Sequence, residues 1–317
     1  MTKPTILRAA ELPASTLAEL DALFSVLHLP EDEAQIPAFL QRHGAAVTGL
    51  ALRKTVVDRA MLDALPALEI IASYSAGLDN VDLEAVHARG ILVRNSSNIL
   101  ARDVANTAIG LLLAVTRDMV RADAFVRDGS WAGGATYPLG RSVVGMTVGV
   151  VGLGAIGMEV ASRLQALGAK VAYSGPRPKP VDLPYHASIV DLAAECDAIV
   201  LTCPLTEATH HAVDARVLQA LGPQGYLINI ARGPVVDEDA LVAVLARDGI
   251  AGAGLDVFEH EPQVPQALLE HPHVVLTPHL GSGTEETRQA MADNVVDVLA
   301  EHFGLRGPRQ VPGRAGH

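Results

Sequence analysis

The stretch Thr147-Val148-Gly149-Val150-Val151-Gly152-Leu153-Gly154-Ala155-Ile156-Gly157 decides how this chain is read. Its first half is an apolar, β-branched run, which is a strand signal, and it breaks into a GxGxxG turn. Apolar residues at helical spacing follow at Met158, Val160, Ala161, Leu164 and Leu167. A glycine triplet alone is a weak sign. With a strand before it and a helix after it, the triplet reads as a dinucleotide-binding turn. Gly152 permits the tight turn, Gly154 lets backbone N–H groups approach a pyrophosphate, and Gly157 lets helix and strand pack closely. The helix N-terminus adds unpaired donors and the positive end of its dipole. Gly152, Leu153, Gly154, Ala155, Ile156 and Gly157 are therefore expected to hold a dinucleotide.

About 20 residues on, an NAD-selective fold places Asp or Glu at the end of its second strand to bind the ribose 2′-OH. The second strand here, Ala169–Tyr173, ends instead in Ser174-Gly175-Pro176-Arg177-Pro178-Lys179. A carboxylate would repel a 2′-phosphate, whereas Ser174 with Arg177 and Lys179 would bind one through charge-assisted hydrogen bonds. A solvated basic turn is the plainer alternative. NADP(H) is the preferred cofactor on this reading, with NAD(H) possible.

The chain has 317 residues, more than one ordinary domain needs, so two are expected. Hydrophobic residues make up 49% and aromatic residues 3%, so its cores are built from Ala, Val, Leu and Ile, as in parallel α/β sheets. The formal net charge is −12 with no Lys/Arg cluster, which argues against a nucleic-acid surface. The two cysteines, Cys196 and Cys203, have no metal-ligand spacing, and sparse thiols fit a reducing compartment. The N-terminus lacks an apolar signal core, and the most apolar helical run, Ile109 to Val115, is too short to span a membrane. A cytoplasmic protein with no metal and no membrane partner is the expectation.

In the first ~95 residues, short strands open at Ile6-Leu7, Ala46-Val47, Ile70–Tyr74 and Ile91–Val93, with a helix over Leu83–Ala88. A long helix is expected from Ala101 to Arg127. After the glycine turn come strands at Ile199–Leu201, Tyr226–Asn229, Ala251–Leu255 and Val274–Leu276, with helices at Val217–Leu221 and Asp237–Arg247. A last helix, about Glu285–Phe303, would return the chain to the first domain. Strands alternating with helices imply parallel, doubly wound sheets whose ligand crevice lies at the strand C-termini. Two chain crossings between domains would leave a cleft of the kind in which small molecules bind.

Three strand ends carry polar chemistry. Ile228-Asn229-Ile230-Ala231-Arg232-Gly233 ends in an Arg, Leu255-Asp256-Val257-Phe258-Glu259-His260-Glu261-Pro262 in carboxylates, and Leu276-Thr277-Pro278-His279-Leu280-Gly281-Ser282 in a His. An Arg fork binds a carboxylate through two donors and polarises the neighbouring carbonyl. A His⁺ gives its proton to a developing alkoxide, and a nearby Glu fixes the ring's orientation and tautomer. Arg232, Glu261 and His279 each have an ordinary structural reading, but together after a nucleotide turn they form a set for carbonyl reduction of an oxo acid.

With these residues the chain resembles the D-isomer-specific 2-hydroxyacid dehydrogenases nearly end to end. The motifs are Ser75-Ala76-Gly77-Leu78-Asp79-Asn80-Val81-Asp82, the Gly152–Gly157 turn, Asn229–Pro234, Gly254–Pro262 and Pro278–Ser282. The resemblance implies that Arg232 binds substrate, that Glu261 and His279 relay the proton, and that Asp256 lies on the nicotinamide side. It implies too that backbone N–H groups of Ala76, Gly77 and Leu78 hold the substrate carboxylate, with Ser282 as a further contact; Arg53 is a candidate second cation for the substrate, a solvated loop Arg being the plainer reading. Val104, Cys203, Pro204, Thr209, Ile230, Ala231 and Gly281, with Arg232 and His279, join the implied cofactor surface. Trp131, in the Gly-rich loop Asp128–Gly134, would either serve ordinary loop packing or, as the resemblance implies, cap the substrate pocket across a homodimer interface to which the helix from Ala101 contributes.

Tyr173–Arg177, Cys203-Pro204-Leu205-Thr206 and His279–Thr284 with Thr287-Arg288 are most similar to the NADPH-dependent glyoxylate/hydroxypyruvate reductases of the family. Arg177 stands later than the Ser-Arg pair usual there, and Asn106 replaces an acidic or His residue. The implied fold is a Rossmann-type cofactor domain (99–285) inserted in a smaller flavodoxin-like substrate domain (1–98 plus 286–317). The implied reaction reduces hydroxypyruvate or glyoxylate to the D-2-hydroxy acid, with arylpyruvates and 2-ketogluconate as neighbouring substrates. An NAD-linked D-2-hydroxyacid dehydrogenase is the alternative enzyme. A nucleotide-sensing corepressor of the same fold is the alternative from another class, and the lack of appended tails weighs against it. Pocket shape would depend on Trp131 and on a loop at Leu50–Arg53.

Overall fold

Short runs of Val, Ile and Leu, apolar at successive positions, form strands buried on both faces, and helix-forming segments between them make every pairing parallel. The computed structural model describes residues 3–307. These fall into two units, one of the residues up to Leu100 together with those from Glu285, the other Ala101–Thr284.

The first unit runs β1 (Thr5–Ala9), α1 (Ala14–Leu23), β2 (Ser25–His28), α2 (Ile36–His43), β3 (Gly49–Leu52), α3 (Arg59–Ala64), β4 (Ile70–Ser73), α4 (Leu83–Ala88) and β5 (Leu92–Arg94). Its sheet order is β2-β1-β3-β4-β5, a flavodoxin-like order that reverses between β1 and β3. Every residue of β3 and β4 is buried. Asp58 and Asp82 start α3 and α4 by accepting from the N–H groups of Met61 and Ala85, as N-cap side chains do.

The second unit begins with α5 (Ser97–Thr116), whose first four residues belong to the first unit, and α6 (Met119–Arg127). Then follow β6 (Thr147–Val151), α7 (Ala155–Ala166), β7 (Lys170–Ser174), β8 (Tyr185–His186), α8 (Ile189–Ala194) and β9 (Ala198–Leu201). The remaining elements are α9 (Ala215–Leu221), β10 (Tyr226–Asn229), α10 (Glu238–Leu245), β11 (Gly252–Leu255), α11 (Gln266–Leu269) and β12 (Val274–Leu276). The sheet order is β12-β11-β10-β9-β6-β7-β8, so the winding reverses between β6 and β9. Register pairs Asn229 with Leu255 and Leu255 with Leu276, so β10, β11 and β12 end level with one another. The final helix, α12 (Glu285–His302), buries Met291, Val295, Val296 and Leu299 and packs on β4 and α1 of the first unit.

Two doubly wound parallel sheets match the expected fold class. Several element readings need correction. The helix expected over Ala101–Arg127 begins at Ser97 and breaks at Arg117-Asp118, where Asp118 takes φ 52° and α6 restarts. The strand read as opening at Ala46-Val47 begins at Gly49, because Gly44–Ala46 closes a short 3₁₀ turn. Leu50–Leu52, read as a pocket loop, is buried strand, and only Arg53 lies beyond it. By length and composition α5 could cross a membrane, unlike the shorter run Ile109–Val115. Half of its apolar window is buried within the protein, including Val104, Ala108, Leu111 and Leu112.

Candidate active site

The glycine turn follows β6 as the sequence predicts. Gly152 takes φ 95°, and a β-carbon there would lie 2.7 Å from the Cys203 backbone, so only glycine fits. At Gly157 a β-carbon would stand 2.2 Å from the Gly152 carbonyl oxygen, which is the close helix–strand approach the motif requires. Gly154, the N-cap of α7, faces open space. No side chain caps that helix and its first turn holds no acid. The open space beside Gly154, at an uncapped helix N-terminus free of acid, fits a dinucleotide pyrophosphate. Leu153 is buried, so its part in such a site is its backbone. Thr202 braces the turn, its hydroxyl donating to Gly152 O at 2.5 Å.

At the end of β7, Ser174 is 3% exposed, while Arg177 and Lys179 are exposed on the turn that follows. The Lys179 N–H donates to the Tyr173 hydroxyl at 2.7 Å, and the Tyr185 hydroxyl donates to Gly175 O at 3.0 Å. These bonds set the turn's shape, and among the described residues no carboxylate pairs with Arg177 or Lys179. The positive charge at this strand end is thus uncommitted.

Arg232 leaves the end of β10 with extended backbone, and Asn229 holds it there. The Asn229 side chain accepts from Ala231 N and donates to Arg232 O, each at 3.0 Å. Gly233 then packs so tightly that a β-carbon would overlap the Phe258 carbonyl, 1.9 Å away. That approach brings the loop after β10 against the loop after β11. In the latter, Glu261 accepts the Phe258 N–H at 3.2 Å with Oε1 and meets His279 Nδ1 at 2.8 Å with Oε2. With Nδ1 engaged by Glu261, Nε2 is the ring nitrogen of His279 available to a ligand.

His279 has φ 51°, an uncommon conformation for a residue with a β-carbon. Asp256, 2% exposed, is what holds it. Asp256 Oδ1 accepts from the Thr277 hydroxyl at 2.6 Å and from Leu280 N at 2.8 Å, and Oδ2 accepts from Gly281 N at 2.9 Å. The His279 N–H donates to Asp256 O at 2.8 Å. Asp256 is read from the sequence as a cofactor contact. In the structure both oxygens of its side chain accept hydrogen bonds from the turn that carries His279. Thr209 is similar. Its hydroxyl donates to Pro204 O and accepts from Thr206 N, both at 2.7 Å, and so shapes the Pro204–Thr209 loop.

Burial pushes the Cys203 thiol up to about 11, so it is neutral and contributes shape beside Gly152. Ile230 and Ala231 are buried under the β10 end, Pro204 is exposed, and Ser282 is half-buried. Val104 of α5 lies against the Gly281 Cα, leaving its two methyls 3.5 Å from where a β-carbon would sit. Trp131 is 66% exposed in its turn.

In the first unit, Ala76, Gly77 and Leu78 form the turn after β4, pinned by the Asn95 side chain donating to Ala76 O at 2.7 Å. Arg53 sits 5.4 Å over the Tyr74 ring and pairs at 3.5 Å with the exposed Glu11. It lines a cavity of about 1190 Å³ at the ends of β1, β2 and β3, with Lys54, Leu40 and Met61 among the walls. Sequence reasoning passed over Asn229, Thr202 and Thr277. Each is a polar residue at or just beyond the end of an apolar strand, and that placement was the available signal.

Comparison with known proteins places the fold in a family. The model of the family described as "D-isomer specific 2-hydroxyacid dehydrogenase, NAD binding domain" matches residues 109–281. A hydroxyphenylpyruvate reductase from Plectranthus scutellarioides is 48% identical over 78% of this chain and 79% of its own length. A 2-ketogluconate reductase from Gluconobacter oxydans is 43% identical over 78% of this chain and 80% of its own. An NADPH-dependent glyoxylate/hydroxypyruvate reductase from Sinorhizobium meliloti, solved with NADP and malonate, superposes with a TM-score of 0.86 at 42% identity. That match covers 95% of this chain and 94% of the other.

Proposed function

Because the chain belongs to the D-isomer specific 2-hydroxyacid dehydrogenase family, we propose that it reduces small 2-oxo acids to D-2-hydroxy acids with NADPH. Hydroxypyruvate and glyoxylate are the leading substrates, in keeping with the relatives' activities. The observation that carries the reading is the His279–Glu261 pair at 2.8 Å, set level with Arg232 at adjacent strand ends.

Arg232 offers a planar donor fork that binds the substrate carboxylate and draws electron density from the adjacent carbonyl. The Gly152–Gly157 turn would hold the pyrophosphate of a nicotinamide dinucleotide, which when bound would supply the hydride. As the carbonyl oxygen gains charge, His279 donates a proton to it from Nε2. Glu261 keeps the ring oriented and compensates the charge of the imidazolium. Within the first unit, the N–H groups of the Ala76–Leu78 turn and the Arg53 guanidinium are proposed contacts for an anionic ligand. The uncommitted charges of Arg177 and Lys179 support NADPH over NADH, with Ser174 contributing through its strand end.

Self-association through the second unit is part of this reading. Met119, Val120, Val126, Trp131, Leu139 and Val144 are all exposed between residues 119 and 144, and this density of apolar surface supports the reading. The two free, buried thiols fit a reducing, cytoplasmic setting. Initial rates with NADPH and NADH across glyoxylate, hydroxypyruvate, 4-hydroxyphenylpyruvate and 2-ketogluconate test the proposal. Turnover of hydroxypyruvate or glyoxylate to the D product, faster with NADPH, supports it; no turnover of any 2-oxo acid overturns it.

A further inference from the structure

The loops after β9, β10 and β11 carry a second cluster that the mechanism above does not use. His210 and His211 follow the Pro204–Thr209 loop, with ring centroids 4.1 Å apart and planes tilted by 33°. His211 Nε2 lies 2.8 Å from Glu259 Oε1. A nitrogen from each imidazole and an oxygen of Glu259 all lie within 4.8 Å of one another.

A hydrogen-bonded His–Glu pair would need only His211. The second imidazole, stacked over the first, is not required by that pair. His211 is also held at φ 51°, a conformation that persists only when its surroundings impose it. Here they do. The His211 N–H donates to Pro234 O at 2.8 Å and Val213 N to Val235 O at 3.0 Å, locking the segment to the loop after β10. Behind Glu259 stands Glu238, 8% exposed, whose Oε1 accepts the Glu259 N–H at 3.3 Å. The cluster therefore joins two imidazoles to a carboxylate, with further acid behind it.

We propose that His210, His211 and Glu259 bind a divalent transition ion of the zinc type, with solvent completing the coordination. The donor set selects the class. Imidazole nitrogen suits Zn²⁺, Co²⁺ or Ni²⁺, whereas Mg²⁺ and Ca²⁺ take oxygen ligands. With metal–ligand bonds of about 2.0–2.2 Å, tetrahedral geometry sets neighbouring donors roughly 3.3 Å apart. The three donors, all within 4.8 Å of one another, would have to settle to that spacing around an ion. Glu259 lies two residues before Glu261, so a bound ion braces the loop that orients His279.

The test is a titration of the full, tag-free, chelator-treated chain with Zn²⁺ by calorimetry, and with Co²⁺ by visible absorption. One ion per chain should bind in the micromolar range or tighter, and Co²⁺ should give a low-symmetry, nitrogen-ligated d–d spectrum. His210→Ala, at an exposed position that tolerates truncation, should weaken binding by at least about tenfold, as should Glu259→Gln. His271→Ala and His273→Ala, at the other histidine pair, should change nothing. Failure to bind at one equivalent, affinity unmoved by His210→Ala, or equal binding of Mg²⁺ would each overturn the site and leave an ordinary His–Glu pair. Binding is read without turnover, so its failure leaves the reductase proposal standing.

Discussion

Asp256→Asn isolates the device that presents His279. The aspartate accepts three hydrogen bonds, from the Thr277 hydroxyl and Leu280 N at one oxygen and from Gly281 N at the other. An asparagine oriented to keep the first two must turn its NH₂ group toward the Gly281 N–H, which replaces a bond with two opposed donors. Losing a bond to a charged acceptor and leaving a buried donor unpaired costs about 1.5–3 kcal/mol. That penalty falls on the turn that holds His279 in its φ 51° conformation. Through the factor of ten per ~1.4 kcal/mol, kcat should fall by roughly 10- to 100-fold. NADPH affinity, set at the glycine turn, should change by less than about threefold. The assay is steady-state oxidation of NADPH with hydroxypyruvate, alongside NADPH titration by fluorescence. Wild-type kcat in Asp256→Asn, or lost NADPH binding with kcat retained, would refute the reasoning.

Arg232→Lys replaces a planar fork with a point charge, and should raise KM for the oxo acid and lower kcat while NADPH binding persists; an active lysine variant removes Arg232 from the mechanism. NADPH should exceed NADH in kcat/KM by at least about tenfold, and Arg177→Ala with Lys179→Ala should erase most of that gap; equal use of both cofactors by the parent contradicts the basic-turn assignment. Burial pushes the Cys196 and Cys203 thiols up to about 12 and about 11, above the ordinary 9.0. Their contribution to stability is fully present below pH ~9 and is lost as pH rises through the folded-state values, because only the unfolded chain releases these protons. Thiol reagents at pH 8 should therefore leave the native protein unlabelled and label both cysteines in denaturant; rapid native labelling would count against the burial.

Where local signals were strong, the sequence was a good guide. The Thr147–Gly157 stretch works because strand, turn and helix each have a local cause, and β10 and β12 stand where their apolar runs predict. Edge strands β2 and β8 were not legible, since Ser25–His28 and Tyr185–His186 carry neither an apolar run nor a clean alternation. The break between α5 and α6 was hidden because Arg117-Asp118 contains neither Gly nor Pro, and Asp118 accepts a left-handed φ. Arg232, Glu261 and His279 could be named from strand-end position and chemistry. The role of Asp256 could not. Which way a buried carboxylate turns depends on the register of β11 and β12 and on amide groups 24 and 25 residues away.

The central claim is that His279, oriented by Glu261, protonates the oxygen of a 2-oxo acid. Its most direct test is the rate of NADPH oxidation by hydroxypyruvate under saturating conditions in the parent and in His279→Ala. The account predicts robust turnover to the D product in the parent and a loss on the order of 10²–10⁴-fold in the variant, with NADPH still bound. A variant that turns over within about tenfold of the parent would contradict it.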